Sequence, residues 1–494
     1  VRRWLRPKRI ILVLLLLAIG WFCITAVPLI WAKPGSAVDY NQLLFDLGEE
    51  QWDTSQPNRW DELESITLAY HRIVTDINDQ ESRLVGEKSG YLENDLVWTD
   101  DPYPFALDEW VGSEVRDRNI RAMEMAQEAI KVAREAGLFD QLSRLTEAAH
   151  LNQPKGTGSI FDRELDADRI NSRRFARMMR ARMYLAYLAG DEDQFVDLVD
   201  QNLFLARVMG SQPGPISQLI GISIASETFE AVCDAAVRGL SPETCERLLE
   251  VIDARFPHPS IELAIEAERL MELDLLQRFY SDSGWFLMTE TAMPGGNRPL
   301  PRVVNLIGVI FPRRSTVERV IDRNAASARE QIDVPRPERL RLADQAEATV
   351  QRLGWRYKMW KILLTRCDTW IDAWHASHTC ADGTRTLLRI SRFTASHGRP
   401  PDSLAELSEW DGSELPYDHF ASDGGFLYRV LEAPDEEGRV FLLYSVGYDG
   451  ANNGGFEPGH RESAFSADSP GFDHVFNRRV TRDTLEPPLV AEDR

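Results

Sequence analysis

After the linker Lys33-Pro34-Gly35-Ser36, apolar residues recur for about 350 residues at the three- and four-residue spacing that lines one face of an α-helix, except over Ser283 to Arg314, which is rich in Pro and Gly. Glu114 to Ala136 carries Ile120, Met123, Ile130 and Ala133 at that period and then meets Gly137, where a helix stops easily because glycine enters the left-handed region without strain. Ser172 to Ala189 places Met178, Ala181, Leu185 and Leu188 on one face ahead of Gly190. Asp191 and Gln194 have the spacing of a capping box and predict a helix from Glu192 to Met209. Pro213 and Pro215 mark a boundary before a helix from Ile216 to Arg238. Ser241-Pro242 reads as an N-cap with proline at the first helical position, opening Glu243 to Phe256. Ile261 to Tyr280, Thr316 to Gln331 and Glu338 to Leu353 follow as further helices. The pattern is one of back-to-back helical hairpins with no signature repeated at a fixed period, which favours an irregular helical domain over a solenoid.

The period changes near residue 384. Thr384 to Ser396 still reads as helix, with Leu387, Leu388, Ile390 and Phe393 as its apolar set, and His397-Gly398-Arg399-Pro400-Pro401 stops it. A short helix from Ser403 to Leu407 precedes two strand-like runs, Phe426 to Leu431 and Val440 to Tyr444. Pro434-Asp435-Glu436-Glu437-Gly438 joins them, so the pair reads as a β-hairpin. Ser445 to Gly455 is then dense in turn residues.

At the other end, Ile10 to Ala32 is an uncharged apolar run preceded by Arg2, Arg3, Arg6, Lys8 and Arg9. A helix needs about 20 apolar residues to cross a hydrocarbon core of ~30 Å, so this run is long enough to span. The basic flank of residues 1–9 orients it with the N-terminus in the cytoplasm. A cleaved signal peptide is the competing reading. Its apolar stretch is typically about 7–15 residues, and Ile30-Trp31-Ala32 is a poor cleavage sequence, so a signal anchor is expected. The expected fold class is therefore mainly α: a transmembrane helix over 10–32, an irregular multi-helix (helical-hairpin) ectodomain over 33–383, a small α+β module over 384–475, and a tail over 476–494. This places a single-pass protein in the cell (inner) membrane with its bulk periplasmic. Val303 to Phe311 is the other strongly apolar stretch, too short to span and expected in the core.

The net charge of −22 repels phosphate backbones and disfavours nucleic acid as a partner. The expected partners are the membrane, through the N-terminal helix, and other envelope proteins. Outside the anchor, Cys233, Cys245, Cys367 and Cys380 allow three full pairings. Cys233 and Cys245 flank the turn Gly239-Leu240-Ser241, so a hairpin either brings them face to face or buries them as two free thiols. With a helix between them, Cys367 and Cys380 would lie ~20 Å apart, too far for a disulfide.

Motifs that specify a reaction are absent: no nucleophile elbow, phosphate loop, His-Glu-x-x-His helix or dinucleotide fingerprint occurs. His375 and His378 share one helical face, which zinc can use, but Ala381-Asp382-Gly383 reads as a helix end and favours surface or capping histidines. The leading function class is a scaffold or interaction protein. The alternative is an envelope hydrolase whose site is assembled from non-adjacent residues.

One stretch carries a resemblance. The order of a helix, Gly398-Arg399-Pro400, Asp402-Ser403-Leu404, Leu415-Pro416-Tyr417-Asp418, the strand pair and Ser445-Val446-Gly447-Tyr448-Asp449-Gly450 resembles the C-terminal domain of the type II secretion major pseudopilin. It is also similar to the C-terminal segments of single-pass membrane proteins of planctomycete-like bacteria. The resemblance covers roughly residues 384–475, under a fifth of the chain. It implies a calcium-binding loop, with Asp449 matching the family's Asp-Gly, Asn452 and Asn453 adding amide oxygens, and Asp473 (or Asp468) as a distal carboxylate. The alternative is that these residues only supply turn geometry. A third function class, an accessory of a secretion or pilus machine, follows from the same resemblance. The chain departs from the family at Arg399, where an aromatic is usual, at His419, where a proline is usual, and in lacking a glutamate early in the apolar run.

Overall fold

The computed structural model describes residues 38–49, 57–85, 113–148, 151–155, 160, 167–256, 261–281, 284–286, 310–334, 336–363, 367–422, 424–435, 438–455 and 473–478. The predicted membrane anchor and the stretch 303–309 lie outside them. Among the described residues no helix is long and apolar enough to cross a membrane.

The molecule is mainly helical. In chain order the helices are α1 (Tyr40–Glu49), α2 (Trp60–Val85), α3 (Ser113–Glu135), α4 (Leu138–Leu145), α5 (Ala167–Leu188), α6 (Glu192–Gly210) and α7 (Pro215–Arg238). They continue as α8 (Pro242–Arg255), α9 (Ile261–Phe279), α10 (Arg314–Arg329), α11 (Arg336–Gln351), α12 (Lys358–Leu363), α13 (Cys367–His397) and α14 (Leu404–Asp411). Strands β1 (Leu427–Val430), β2 (Phe441–Ser445) and β3 (His474–Val475) form one antiparallel sheet in that order. Leu427 pairs with Tyr444, and Tyr444 in turn with Val475.

Short-range chemistry sets many of the boundaries. Asp191 caps α6 by accepting from the Gln194 N–H at 3.0 Å. Ser241 caps α8 through the Thr244 N–H at 3.2 Å, with Pro242 at the first helical position. Ser403 caps α14 through the Glu406 N–H. Gly137 and Gly398 both take φ of 70°, where the helices before them stop.

Helix α7 is the axis of the body, packed against α5, α6 and α13. It approaches α6 backbone to backbone. A Cβ at Gly221 would lie 2.5 Å from the Gly210 nitrogen and 2.6 Å from the Ala206 carbonyl oxygen. The apolar core runs without interruption from Trp60 and Tyr70 through Phe195, Phe229 and Leu248 to Leu387, Phe393, Leu443 and Phe476. A second cluster gathers Phe279, Tyr280, Phe286 and Trp360.

Several expectations need correction. The predicted stop at Ala381-Asp382-Gly383 does not occur, because α13 runs unbroken across it. The predicted module boundary at 384 therefore falls inside one helix, and the residues after it share the core of the helical body. Leu188, expected on the buried face of α5, is exposed at the helix end. The third strand was not anticipated. Cys233, Cys245 and Cys380 are buried free thiols, which settles the hairpin pair against a disulfide. Cys233 turns toward α13, its Sγ 3.3 Å from Thr384 Oγ1. Burial pushes the Cys233 and Cys245 thiols up to about 12, so they are inert. Of the apolar stretch ending at Phe311, Ile310 is exposed and Phe311 stacks on Phe286 at 4.2 Å.

Candidate functional site

Four separate segments bring polar side chains together beside α13. The helix itself contributes Asp372, His375 and His378, three residues apart and so on one face. The first turn of α11 supplies Arg336 and Arg339. The segment before β1 supplies Tyr417, Asp418, His419 and Phe420, and the turn after β2 supplies Tyr448.

The guanidinium of Arg336 is anchored on both sides. Its Nη1 donates to Asp372 Oδ1 at 2.7 Å and its Nε to the Tyr448 carbonyl at 2.6 Å, while the Tyr448 ring centre lies 3.8 Å away. Arg339 has less. Its Nε lies 3.3 Å from the same Asp372 oxygen, close enough for an ion pair but without hydrogen-bond alignment. Both arginines are almost wholly buried. Among the described residues, Arg336 Nη2, Arg339 Nε and Nη2, and both ring nitrogens of His375 have no hydrogen-bond partner.

The imidazoles converge. The His419 ring centre lies 5.1 Å from that of His375 and 5.6 Å from that of His378, and Trp374 packs on His378 at 4.0 Å. The His419 backbone N–H donates to Thr379 Oγ1 at 3.2 Å, which fixes the segment onto α13. Burial, reinforced by Arg339, His419, His378 and Arg336, pushes His375 down to about 2. His419 falls to about 4, by burial and then by Arg339. Asp418 moves the other way. Burial raises it to about 6, although Phe420 N–H and Ser445 Oγ both donate to its Oδ1, at 2.9 and 3.0 Å.

The four residues expected to hold calcium do lie in one loop. Asp449 accepts from the Ala451 N–H at 2.9 Å and Asn452 from the Gly454 N–H at 2.9 Å. Asp473, fully buried, accepts from the Asn453 N–H at 3.2 Å and the Gly455 N–H at 2.6 Å. Each is thus engaged in closing the loop. Asp468 lies outside the described residues. Among the described residues, no group of three or more His, Cys, Asp or Glu side chains is arranged to hold a metal ion.

Sequence reasoning singled out His375 and His378 but placed them on the surface or at a cap. It missed Arg336, Arg339 and Asp372 altogether and named His419 only as a departure from a family pattern. Their signal was faint: Arg336 and Arg339 stand three apart at a helix start, and nothing in the chain reports that this turn is buried against Asp372.

No protein-family model, no curated protein and no solved structure matches this chain.

Proposed function

We propose that this chain is a single-pass membrane protein, N-terminus in the cytoplasm, whose extracytoplasmic body is a scaffold for other envelope proteins. The observation that carries the reading is Trp355. It is 70% exposed, the most open of the large apolar side chains among the described residues. Its mount is firm. Trp355–Tyr357 is a short 3-10 turn, and the Arg356 guanidinium ties it to the carbonyls of Ile310 and Phe311. Lys361 Nζ donates back to the Gln351 carbonyl at 2.6 Å. Ile310, 42% exposed, sits at the other end of the Arg356 link. An exposed tryptophan on an ordered turn beside a second apolar residue supports protein contact, because such anchors dominate interface energetics. Arg352, Arg356 and Lys358, exposed on either side of Trp355, support an acidic rim on the partner.

A photoreactive residue at position 355, activated in intact membranes, is expected to give a discrete protein adduct. Adducts to lipid alone, or the same adducts from an exposed control position such as Val430, would sink the reading.

The hydrolase alternative has one supporting observation, the convergence of His375, His378 and His419. Against it stands their basicity. Imidazoles held at about 2 and about 4 are poor proton acceptors at neutral pH, so His375 and His419 suit hydrogen bonding better than general acid–base work. The narrower reading as an accessory of a secretion or pilus machine rests on the residue phrases of 398–450 alone.

A further inference from the structure

The two guanidiniums beside α13 share one carboxylate partner, Asp372, because the cluster's other carboxylate, Asp418, accepts from the Phe420 N–H and Ser445 Oγ instead. Asp372 answers two buried guanidiniums, and its Oδ1 favours Arg336, at 2.7 Å against 3.3 Å for Arg339. Arg336 has the Tyr448 carbonyl besides. Among the described residues Arg339 is thus the less well answered cation, with Nε and Nη2 both unmet, and Arg336 Nη2 adds a third unmet donor. Buried donors without acceptors are costly, and a buried charge without a partner more so. The His375 ring beside them, 5% exposed, also has neither nitrogen engaged.

We propose that Arg336, Arg339, His375 and His419 form a binding site for a small oxyanion, a carboxylate or a phosphate group, held chiefly by Arg339. A guanidinium presents paired N–H groups that match the oxygens of either group. The ligand's charge answers the guanidinium that Asp372 meets least closely, and its lone pairs meet the orphaned donors. His375, whose ring nitrogens are both unengaged among the described residues, turns one ring N–H toward the ligand, with the His419 ring 5.1 Å away. The cluster lies near the surface: His419, His378 and Trp374 are half-buried, and Tyr417, whose ring centre is 5.0 Å from that of His419, is 52% exposed.

A transition metal is the competing occupant, since the imidazoles stand close together. Two guanidiniums answered by one carboxylate decide against it, because a divalent cation there would meet net repulsion in a medium that screens poorly.

The test is thermal unfolding of the full chain in detergent, with inorganic phosphate or acetate against chloride at matched ionic strength. At about a hundredfold excess over Kd the favoured anion is expected to raise Tm by roughly 2–4 °C. A response to phosphate alone assigns a phosphoryl ligand, and a response to acetate alone assigns a carboxylate. Arg339→Gln is expected to abolish the rise, whereas for an arginine with a purely structural role it would lower the Tm and leave the anion-dependent rise in place. If R339Q does not fold, Arg339→Lys, which keeps the charge but loses the fork, should weaken the anion by about tenfold. No rise with either anion up to roughly 100 mM overturns the proposal. So does an equal rise in the Arg339 variants, or a His375-dependent rise with zinc in place of the anions.

Discussion

The ring of Phe476 occupies the space that a side chain at Gly383 would fill: a Cβ there would lie 2.1 Å from Phe476 Cζ. This glycine sits in the interior of α13, where alanine would ordinarily stabilise a helix by about 1 kcal/mol. Here the sign reverses. Gly383→Ala is expected to cost about 1–3 kcal/mol because Phe476 must leave its place in the core. Urea unfolding of G383A, F476A and the double variant checks it. In the double variant the Gly383→Ala cost should largely vanish, since the clashing ring is gone.

Gly221 poses the same problem without that remedy. Its neighbours across the α6–α7 contact are backbone atoms of Gly210 and Ala206, which no truncation can move aside. Gly221→Ala is therefore expected to destabilise by at least about 2 kcal/mol through separation of two helices in the middle of the core. Near-ultraviolet circular dichroism should lose intensity, as aromatic neighbours such as Phe229 loosen. A Tm equal to that of the parent chain would contradict the contact.

These two glycines show where reading the sequence succeeds and where it stops. Asp191, Ser241 and Ser403 are legible as caps because their hydrogen bonds reach only three residues along the chain. Gly137 and Gly398 are legible as stops because the cause is local backbone conformation. Gly383 follows Ala381-Asp382 and reads as another stop, but its cause is a ring some ninety residues away, which no local pattern reports. The hairpin β1–β2 is legible from its two runs and charged turn, whereas β3 is two residues long and has no pattern of its own. The candidate site is the least legible part. Asp372, Arg336 and His419 come from three segments, and their identity as a cluster exists only once α11 and the segment before β1 pack on α13.

His375 gives the chain an acid-sensitive term. Its imidazole is pushed down to about 2 in the folded state and titrates near 6.5 when unfolded. Below about pH 6.5 the unfolded chain therefore takes up a proton that the folded chain refuses, and stability falls as pH falls. His419, at about 4, acts in the same sense until that pH is passed. Asp418, raised to about 6, acts oppositely: its contribution is full below its unfolded value of about 3.9 and is lost as pH rises through about 6. His474, lowered to about 4, adds to the His419 term. Carboxylates held below their ordinary range, such as Asp411 and Glu406, add to the acid limb, so the His375 slope is read by difference against a variant. Urea midpoints measured from pH 3 to 7 should show a flatter acid limb in His375→Phe than in the parent. Parallel limbs would remove His375 from the account.

Asp473 carries the last prediction. Its two oxygens accept from the N–H groups of Asn453 and Gly455, and it stands immediately before β3. Burial raises its pKa and the Asp449 charge raises it further, while the two N–H groups pull it down. Asparagine keeps the shape but turns one acceptor into an NH2 group facing a backbone N–H. Asp473→Asn is therefore expected to cost about 1–3 kcal/mol and to free β3 from Tyr444 and Ser445, read as faster hydrogen exchange at the β2 amides. The same pair of proteins separates the two roles open to this loop. Because a ligand that binds only the folded state must stabilise it, a calcium-dependent rise in Tm that D473N lacks would assign a cation to Asp449, Asn452, Asn453 and Asp473. Identical curves with calcium and with chelator would leave the carboxylates as closures of the loop, a role that the four N–H bonds to Asp449, Asn452 and Asp473 are already sufficient to explain.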